Sequence, residues 1–169
     1  MKTNVMVRNA FFTALLCILS VIALPVSEVP FSLGLVGVFM CGLILTPENA
    51  FISALCYILI GAIGVPVFAG FKGGIGILIG ATGGFIFSYP LVAFCVSYFS
   101  HLTGRKNLLA DIWAMIASLI ICYAIGTGWF SVITGSNFFG ALAVTVYPFT
   151  VFDLIKIVIC LILRRFVKI

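Results

Sequence analysis

The chain has 169 residues, of which 64% are hydrophobic and only 8% are charged. A soluble domain of this size carries about a quarter charged residues, so this composition excludes a water-soluble protein and predicts that lipid surrounds most of the chain. At about 20 apolar residues per spanning helix, the length allows about six spans in one domain covering residues 1–169, with no room for a separate soluble ATPase domain.

Six apolar runs follow one another along the chain and predict six transmembrane helices. The predicted helices cover residues 10–24, 31–45, 50–65, 75–97, 109–129 and 149–166. Thr46 is the predicted N-cap of the third helix, with Pro47 as its first residue, and Pro148 opens the sixth. The first run resembles the apolar core of a signal peptide, but no small-x-small cleavage site follows it. We therefore expect it to be a retained helix.

Two of the loops between the predicted helices are long and almost free of charge. They cover residues 66–74 and 130–147, and Lys72 is the one charged residue in either of them. Loops of this kind can fold back over a pocket as a lid. Since the loops on the other side are short, we expect a binding site that opens on the side of the two long loops.

Lysines and arginines mark the opposite side of the predicted bundle. Seven of the nine lie in the N-terminal segment, in the turn after the fourth helix, and at the C-terminal end, as Lys2, Arg8, Arg105, Lys106, Arg164, Arg165 and Lys168. An even number of spans brings these three places to one side, which the positive-inside rule makes cytoplasmic, so both termini are expected in the cytoplasm. Basic residues placed in this way do not predict a nucleic-acid partner.

The last helix carries the one ionisable pair that is predicted to lie within the membrane. Asp153 and Lys156 are three residues apart in an otherwise apolar run, so both project from one face of the helix. Each ionisable residue at such a depth costs at least ~2.5 kcal/mol on insertion scales, so the pair should face the protein interior. Two interpretations follow, namely an ion pair that fixes helix packing and a site for a ligand with hydrogen-bond donors and an acceptor or anion.

A glycine-rich stretch, GFKGGIGILIGATGGF, precedes and opens the fourth predicted helix. It matches neither the dinucleotide fingerprint nor the P-loop, so it predicts no nucleotide site. Gly76, Gly80 and Gly84 recur every four residues and predict one smooth face for close helix packing. Four further residues of the stretch lie on other faces, so this packing does not explain them: Gly73, Gly74, Thr82 and Gly83. Backbone exposed to a ligand would explain them instead. In the first helix, Ala10 and Ala14 form a small-xxx-small pair that by itself predicts internal packing.

The sequence offers little for catalysis or for cofactors. The single histidine, His101, falls in a predicted cytoplasmic turn without a nearby acidic residue, and the four acidic residues lie in four separate places. The six cysteines all lie within apolar runs and show no metal-ligand spacing. We therefore expect no enzymatic activity, no metal and no cofactor.

Several of these segments resemble the BioY family, the biotin-binding S components of energy-coupling-factor transporters. The resembling segments are PVSEVPFSL at 25–33, YILIGAIGVPVFAGFKGGIGILIGATGGF at 57–85, Trp129, and Pro148-Phe149 followed by Asp153 and Lys156. The resemblance implies six helices, cytoplasmic termini and a biotin site near the outer surface. It also implies a transmembrane coupling subunit and two ATPase subunits as partners, with Ala10 and Ala14 in the motif that docks on the coupling subunit.

The resemblance also implies a set of binding residues. The family's G-P-T-G-G-Y element resembles residues 80–85, and its P-F-x-x-x-D-x-x-K element resembles residues 148–156. The implied substrate-binding residues are Asp153, Lys156, Thr82, Gly83, Gly84, Phe85, Gly73, Gly74, Phe31 and Tyr147. In this hypothesis Asp153 accepts from the ureido N–H groups of biotin and Lys156 donates to an oxygen, while amides at the start of the fourth helix suit the carboxylate.

This sequence departs from the family pattern at three positions. Ala81 replaces a proline, Phe85 replaces a tyrosine, and Gly34 stands where the family usually has glutamine. The tyrosine and glutamine changes remove polar contacts to a ligand. The alternatives to biotin are another vitamin, such as thiamine or riboflavin, and a structural membrane subunit without a ligand.

Overall fold

The computed structural model describes residues 3–24, 30–102 and 107–166. The chain is mostly helical. Eight helices follow in chain order: α1 Thr3–Val21, α2 Gly34–Ile44, α3 Pro47–Ala62, α4 Ile75–Leu78, α5 Gly83–Leu102, α6 Leu108–Thr134, α7 Phe138–Thr145 and α8 Tyr147–Phe166. Two short strands, β1 Ala23–Leu24 and β2 Phe31–Ser32, form an antiparallel hairpin. Residues 25–29 between the first two predicted helices, most of the turn after the fourth, and Lys2, Arg105, Lys106 and Lys168 lie outside the described residues.

Helix α2 forms the centre of the bundle. Its sequence, GLVGVFMCGLI, is apolar on all sides, and every one of its residues is buried. A helix without a polar face can lie in lipid or in a protein core, and here α1, α3, α5 and α8 all pack against α2. The largest core cluster is built around it.

The start of α3 agrees with the sequence in position but not in its capping bond. Thr46 has the extended backbone of an N-cap, and Pro47 is the first helical residue, as predicted. The Thr46 hydroxyl makes no capping bond to the backbone and instead accepts from the side-chain amide of Asn49, at 2.5 Å. Thr46 is therefore the N-cap residue, as predicted, although its side chain makes no capping bond.

The fourth predicted helix, 75–97, is broken in two. After the four residues of α4, the chain turns through residues 79–82 and restarts as α5 at Gly83. The amide of Gly83 donates to the carbonyl of Gly80 at 3.0 Å, which closes this turn. Glycine has a low helix propensity, so a stretch this rich in glycine permits such a break. The predicted single face of Gly76, Gly80 and Gly84 does not exist, because the three residues belong to two helices and a turn.

The predicted loop at 130–147 is largely helical. Helix α6 continues to Thr134 and ends at Gly135, whose φ of 68° lies in the left-handed region that favours glycine. Helix α7 follows and packs against α6 and α8. Its sequence, FFGALAVT, has an apolar face that reaches a small second core formed with Phe130 and Phe149. This uncharged stretch is therefore largely helix rather than open loop, with Ala141 and Thr145 as the buried residues of α7.

The connections near the ends of α1, α3 and α6 gather over one end of the bundle. In the β-hairpin, Ala23 is opposite Ser32 and Leu24 is opposite Phe31. The amide of Gly70 donates to the carbonyl of Val21 at 3.2 Å, which ties the 66–74 loop to the end of α1. The hairpin and the 66–74 loop thus lie together at the end of α1.

The lengths of the helices make this a multi-pass membrane protein. In the described part of the chain, α1, α5 and α6 are each long and apolar enough to cross a membrane, and α7 with α8 forms a fourth candidate bent by 47°. Helices α2 and α3, with 11 and 16 residues, are shorter apolar helices. The six predicted spans, and the side on which each end lies, remain predictions.

At the other end of the bundle a buried ion pair joins three helices. Asp111, at the start of α6, is fully buried and pairs with Arg164, near the end of α8. The hydroxyl of Ser100 in α5 donates to the same carboxylate at 2.6 Å. A buried charge needs such partners, and this arrangement fixes the end of α8 against α5 and α6.

Candidate functional site

Helix α8 turns Asp153 and Lys156 into the protein, as their spacing predicts. Asp153 and Lys156 are 3% and 4% exposed, and the Lys156 Nζ lies 2.7 Å from the Asp153 Oδ1. Between residues 151 and 163 the other side chains of α8 are all apolar. The pair therefore forms a polar point inside an apolar bundle, which is expensive unless partners surround it.

Two further residues complete this cluster. The hydroxyl of Tyr123, on α6, donates to the Asp153 Oδ2, and the Lys156 ammonium lies 4.2 Å from the centre of the Phe31 ring. A cation over an aromatic face is attracted by the negative face of the ring. The protein alone thus provides partners for both charges of the Asp153–Lys156 pair. This arrangement suits a packing role as well as a binding role. The space next to the pair favours binding.

A cavity of about 60 Å³ lies directly against this cluster. Tyr123, Asp153 and Lys156 supply its polar wall, and Leu35 and Phe149 belong to its apolar wall. A mostly apolar concave site with a few converging polar groups is the usual form of a small-molecule site. We therefore place the candidate site here.

A second cavity, of about 120 Å³, adjoins the first. Its polar lining includes Tyr57, Lys72 and Thr82. The two cavities share the following lining residues: Pro30, Ser32, Phe85 and Tyr89. Each is small beside the ~300–1,000 Å³ of typical ligand pockets, so a vitamin-sized ligand would occupy both after the shared side chains shift.

Larger concavities exist on the flanks of the bundle. One of them, of about 880 Å³, is a lateral groove between α1, α2 and α8 whose lining is apolar apart from Arg8. Such a groove suits lipid chains or another helix, because it has few groups that would orient a polar ligand. Polar chemistry, rather than size, decides where the candidate site lies.

Residues 80–85 contribute two side chains to the cavities. Thr82 lines the second cavity, and Phe85 lines both. Gly83 and Gly84 have packing roles, since a Cβ on Gly83 would meet the carbonyl of Leu78 and one on Gly84 would meet the side chain of Trp129. The tight fit at Gly84 lets α5 and α6 approach closely.

Three other predicted site residues lie outside both cavities. Gly73 packs against the carbonyl of Val65, and Gly74 adopts a φ of 94°, which explains these glycines without a ligand. Tyr147 is 73% exposed at the start of α8. The amides at the start of the fourth predicted helix now belong to the four-residue α4, which is too short to carry the helix dipole expected at the carboxylate.

Sequence reasoning missed several residues of the cavity walls. Tyr57 and Tyr89 stack with ring centres 6.0 Å apart, and the Tyr57 hydroxyl bonds to that of Ser20 at 2.6 Å. Tyr123 is the closest partner of Asp153 outside α8. A tyrosine within an apolar helix is itself a signal, because its hydroxyl needs a polar partner when it is buried.

Ala10 and Ala14 lie on the outside of the bundle. Both are exposed on α1 and line a groove of about 630 Å³ that α1 forms with α3. The groove wall also includes Ile52, Cys56 and Ile60. The two alanines thus do not pack within this chain, and internal packing was a wrong prediction for them.

Comparison with known proteins identifies the family. The family model described as "BioY family" matches residues 1–169. The chain belongs to the BioY family.

The relatives of this BioY chain are of nearly the same length. It is 35% identical over 156 residues to a probable biotin transporter BioY of Pyrococcus horikoshii, covering 92% of this chain and 91% of the relative. It is 36% identical over 160 residues to a biotin transporter BioY of Thermotoga maritima, covering 91% and 89%. Its fold matches a crystal structure of the S-component for biotin from an ECF-type ABC transporter, with a TM-score of 0.83, 24% identity, and coverage of 98% and 95%.

Gly34, one of the three departures of this BioY chain from the family pattern, is closely surrounded by polar side chains. A Cβ on Gly34 would lie 2.7 Å from the Ser20 hydroxyl, 3.2 Å from that of Tyr89 and 3.3 Å from that of Ser32. Three hydroxyls thus converge where the family usually has a glutamine. Phe85 lies between the two cavities without a hydroxyl of its own, and Ala81 lies in the turn before α5.

Proposed function

We propose that this chain is the substrate-binding subunit for biotin uptake across the cell membrane. The observation that carries the proposal is the cavity against Asp153 and Lys156, at the family's D-x-x-K element, in a chain that matches the BioY family over its whole length. The chain would bind the vitamin and release it inward together with a coupling subunit and two ATPase subunits. It would not catalyse a reaction itself.

The orientation of the bundle follows from its charges. Arg8, Arg164 and Arg165 lie near the end where α1 begins and α8 ends, whereas Lys72 is the one lysine or arginine in the two long loops at the other end. The positive-inside rule makes the arginine-bearing end cytoplasmic. With six spans, both termini then lie in the cytoplasm, and the two cavities open near the outer face beneath the hairpin, the 66–74 loop and α7.

The chemistry of the cluster matches the ureido ring of biotin. This ring offers two N–H donors and one carbonyl, and the Asp153 carboxylate can accept while the Lys156 ammonium donates. Phe31, Phe85 and Phe149 provide apolar surface for the thioether ring. Binding would exchange part of the Asp153–Lys156 contact for contacts with the ligand, so the pair stays satisfied in both states.

Uptake by cells tests this proposal. Cells that lack their own biotin uptake should take up labelled biotin when they express the chain with a coupling module, and an ATPase-inactivated module should abolish the gain. Unlabelled biotin should compete, whereas thiamine and riboflavin should not. Competition by thiamine or riboflavin would favour the other-vitamin alternative, and uptake equal to that of cells without the chain would contradict the proposal.

The exposed alanines of α1 supply a prediction about the partner. Replacing Ala14 by leucine should reduce copurification with the coupling subunit, because a larger side chain prevents the close helix approach that small residues allow. Biotin affinity of the isolated chain should stay unchanged. Ala124→Leu is the matched control, since Ala124 is also exposed but lies on α6. Equal copurification of both variants would exclude this groove as the docking surface.

A further inference from the structure

The second cavity is lined by a lysine side chain that the proposed ureido site does not use. Lys72 lines this cavity beside the polar side chains of Tyr57, Thr82 and Tyr89. The first cavity, with the ionic cluster, lies on the far side of a wall that both cavities share. A ligand that fills both would therefore have one end at Asp153 and Lys156 and the other at Lys72.

The backbone holds Lys72 in a defined place. Its carbonyl accepts from the amide of Phe68 at 2.8 Å, and its amide donates to the carbonyl of Phe68 at 3.3 Å. Between them, Gly70 and Phe71 have φ values of 72° and 59°, as a tight hairpin turn requires. Phe68 is 1% exposed and packs edge-on against Tyr57, with ring centres 5.6 Å apart. The hairpin is thus anchored in the core and presents Lys72 at the cavity.

The charge of Lys72 is not neutralised within the described part of the chain. Of the described carboxylates, Asp111 pairs with Arg164 and Asp153 pairs with Lys156, while Glu48 lies in the first turn of α3, at the opposite end of the bundle. In the sequence, Lys72 is the sole lysine or arginine between residues 9 and 104. A cation that lines a partly polar cavity attracts an anion.

We infer that Lys72 binds the carboxylate at the end of the ligand's tail and thereby selects the acid over neutral derivatives. This inference rests on the proposed function, which assigns the ureido ring to Asp153 and Lys156. The tail then crosses the shared wall between Ser32, Phe85 and Tyr89 and ends at the ammonium of Lys72. Lys72 is exposed, so its contribution is screened by solvent and salt.

A comparison of biotin with biotinamide tests this assignment, since the amide has the same shape and no charge. The purified unmodified protein should bind biotin about five- to tenfold more tightly than biotinamide, and added salt should reduce the difference. Lys72→Gln should bind both ligands equally, at the biotinamide affinity of the unmodified protein. Arg8→Gln, which removes a cation at the opposite end, should retain the preference for the acid.

The outcomes separate this inference from the function on which it rests. If Lys72→Gln retains the preference for biotin, or loses the same factor for both ligands, Lys72 does not bind the carboxylate and this inference alone is overturned. If the unmodified protein binds neither ligand, the proposed function is overturned and this inference with it.

Discussion

Replacing Asp153 by asparagine is expected to weaken biotin binding by at least about thirtyfold. Removing one partner of a buried, hydrogen-bonded charge pair costs roughly 2–5 kcal/mol, and every 1.4 kcal/mol is about tenfold in affinity. Asparagine presents an N–H group where the ligand's own donors would arrive, and it leaves Lys156 without its counter-ion. Equilibrium binding of labelled biotin to the purified protein in detergent measures the effect.

The other buried ion pair of α8 provides the matched control for this variant. Asp111→Asn removes a carboxylate that is equally buried and that also contacts α8, through Arg164, but at the far end of the helix. It should lower the unfolding temperature while leaving biotin affinity nearly unchanged. Similar losses of affinity in the two variants would mean that Asp153 acts through stability alone.

Joint replacement by Asp153→Leu and Lys156→Met should leave a folded protein that no longer binds biotin. If the chain were a structural subunit without a ligand, the unmodified protein would not bind biotin either.

Replacing Gly84 by valine is expected to destabilise the fold by roughly 1–3 kcal/mol or more, as overpacking of a close contact does. The added Cβ would overlap the side chain of Trp129, whose Nε1 donates to the carbonyl of Gly80 at 2.9 Å. Because the overlapping atoms are next to the Trp129 backbone, a rotamer change cannot relieve the clash. Thermal unfolding in detergent should show a lower midpoint, and biotin affinity should fall because Phe85 is the next residue.

Gly76 is the control position in the same glycine-rich stretch. A Cβ there meets no atom within 4 Å, so Gly76→Val should leave the unfolding midpoint close to that of the unmodified protein. If the two variants unfolded at the same temperature, the close approach of α5 and α6 at Gly84 would not limit stability.

The positions of the long helices and of the ionic pair could be predicted because they depend on local rules. Apolar runs identify the regions of α1, α5 and α6, although α1 begins at Thr3 and α5 at Gly83 rather than at the predicted residues 10 and 75. The i, i+3 spacing of Asp153 and Lys156 puts both on one face. The cost of burying charge in an apolar helix then requires that this face point inward. Each of these inferences depends on a single helical segment and its solvent, without knowledge of the tertiary contacts.

The breaks and covers of the fold could not be predicted in the same way. Residues 75–97 have the apolar character of one helix, and the interruption at 79–82 depends on how Gly83 and Gly84 fit against neighbouring groups. Likewise the apolar stretch at 130–147 is helical because α7 finds a buried face against α6 and α8, which is a tertiary contact. Tertiary packing decided both outcomes.

The residues of the candidate site also fall into those that could be predicted from the sequence and those that depend on tertiary contacts. Asp153, Lys156, Phe31, Thr82 and Phe85 line the two cavities, and all five were sequence candidates. Tyr123 and Tyr89 were missed because their role comes from the approach of α5 and α6 to the rest of the site. Gly73 and Gly74 matched a family segment, but their backbone geometry is explained by the turn that carries Lys72.

The most direct test of the central claim is an equilibrium titration of biotin against the purified chain alone, in detergent and without coupling or ATPase subunits. The account predicts one saturable biotin site per chain, not displaced by thiamine or riboflavin and severely weakened by Asp153→Asn. A titration without saturation, or saturable binding that Asp153→Asn leaves unchanged, would contradict the placement of biotin at the Asp153–Lys156 pair.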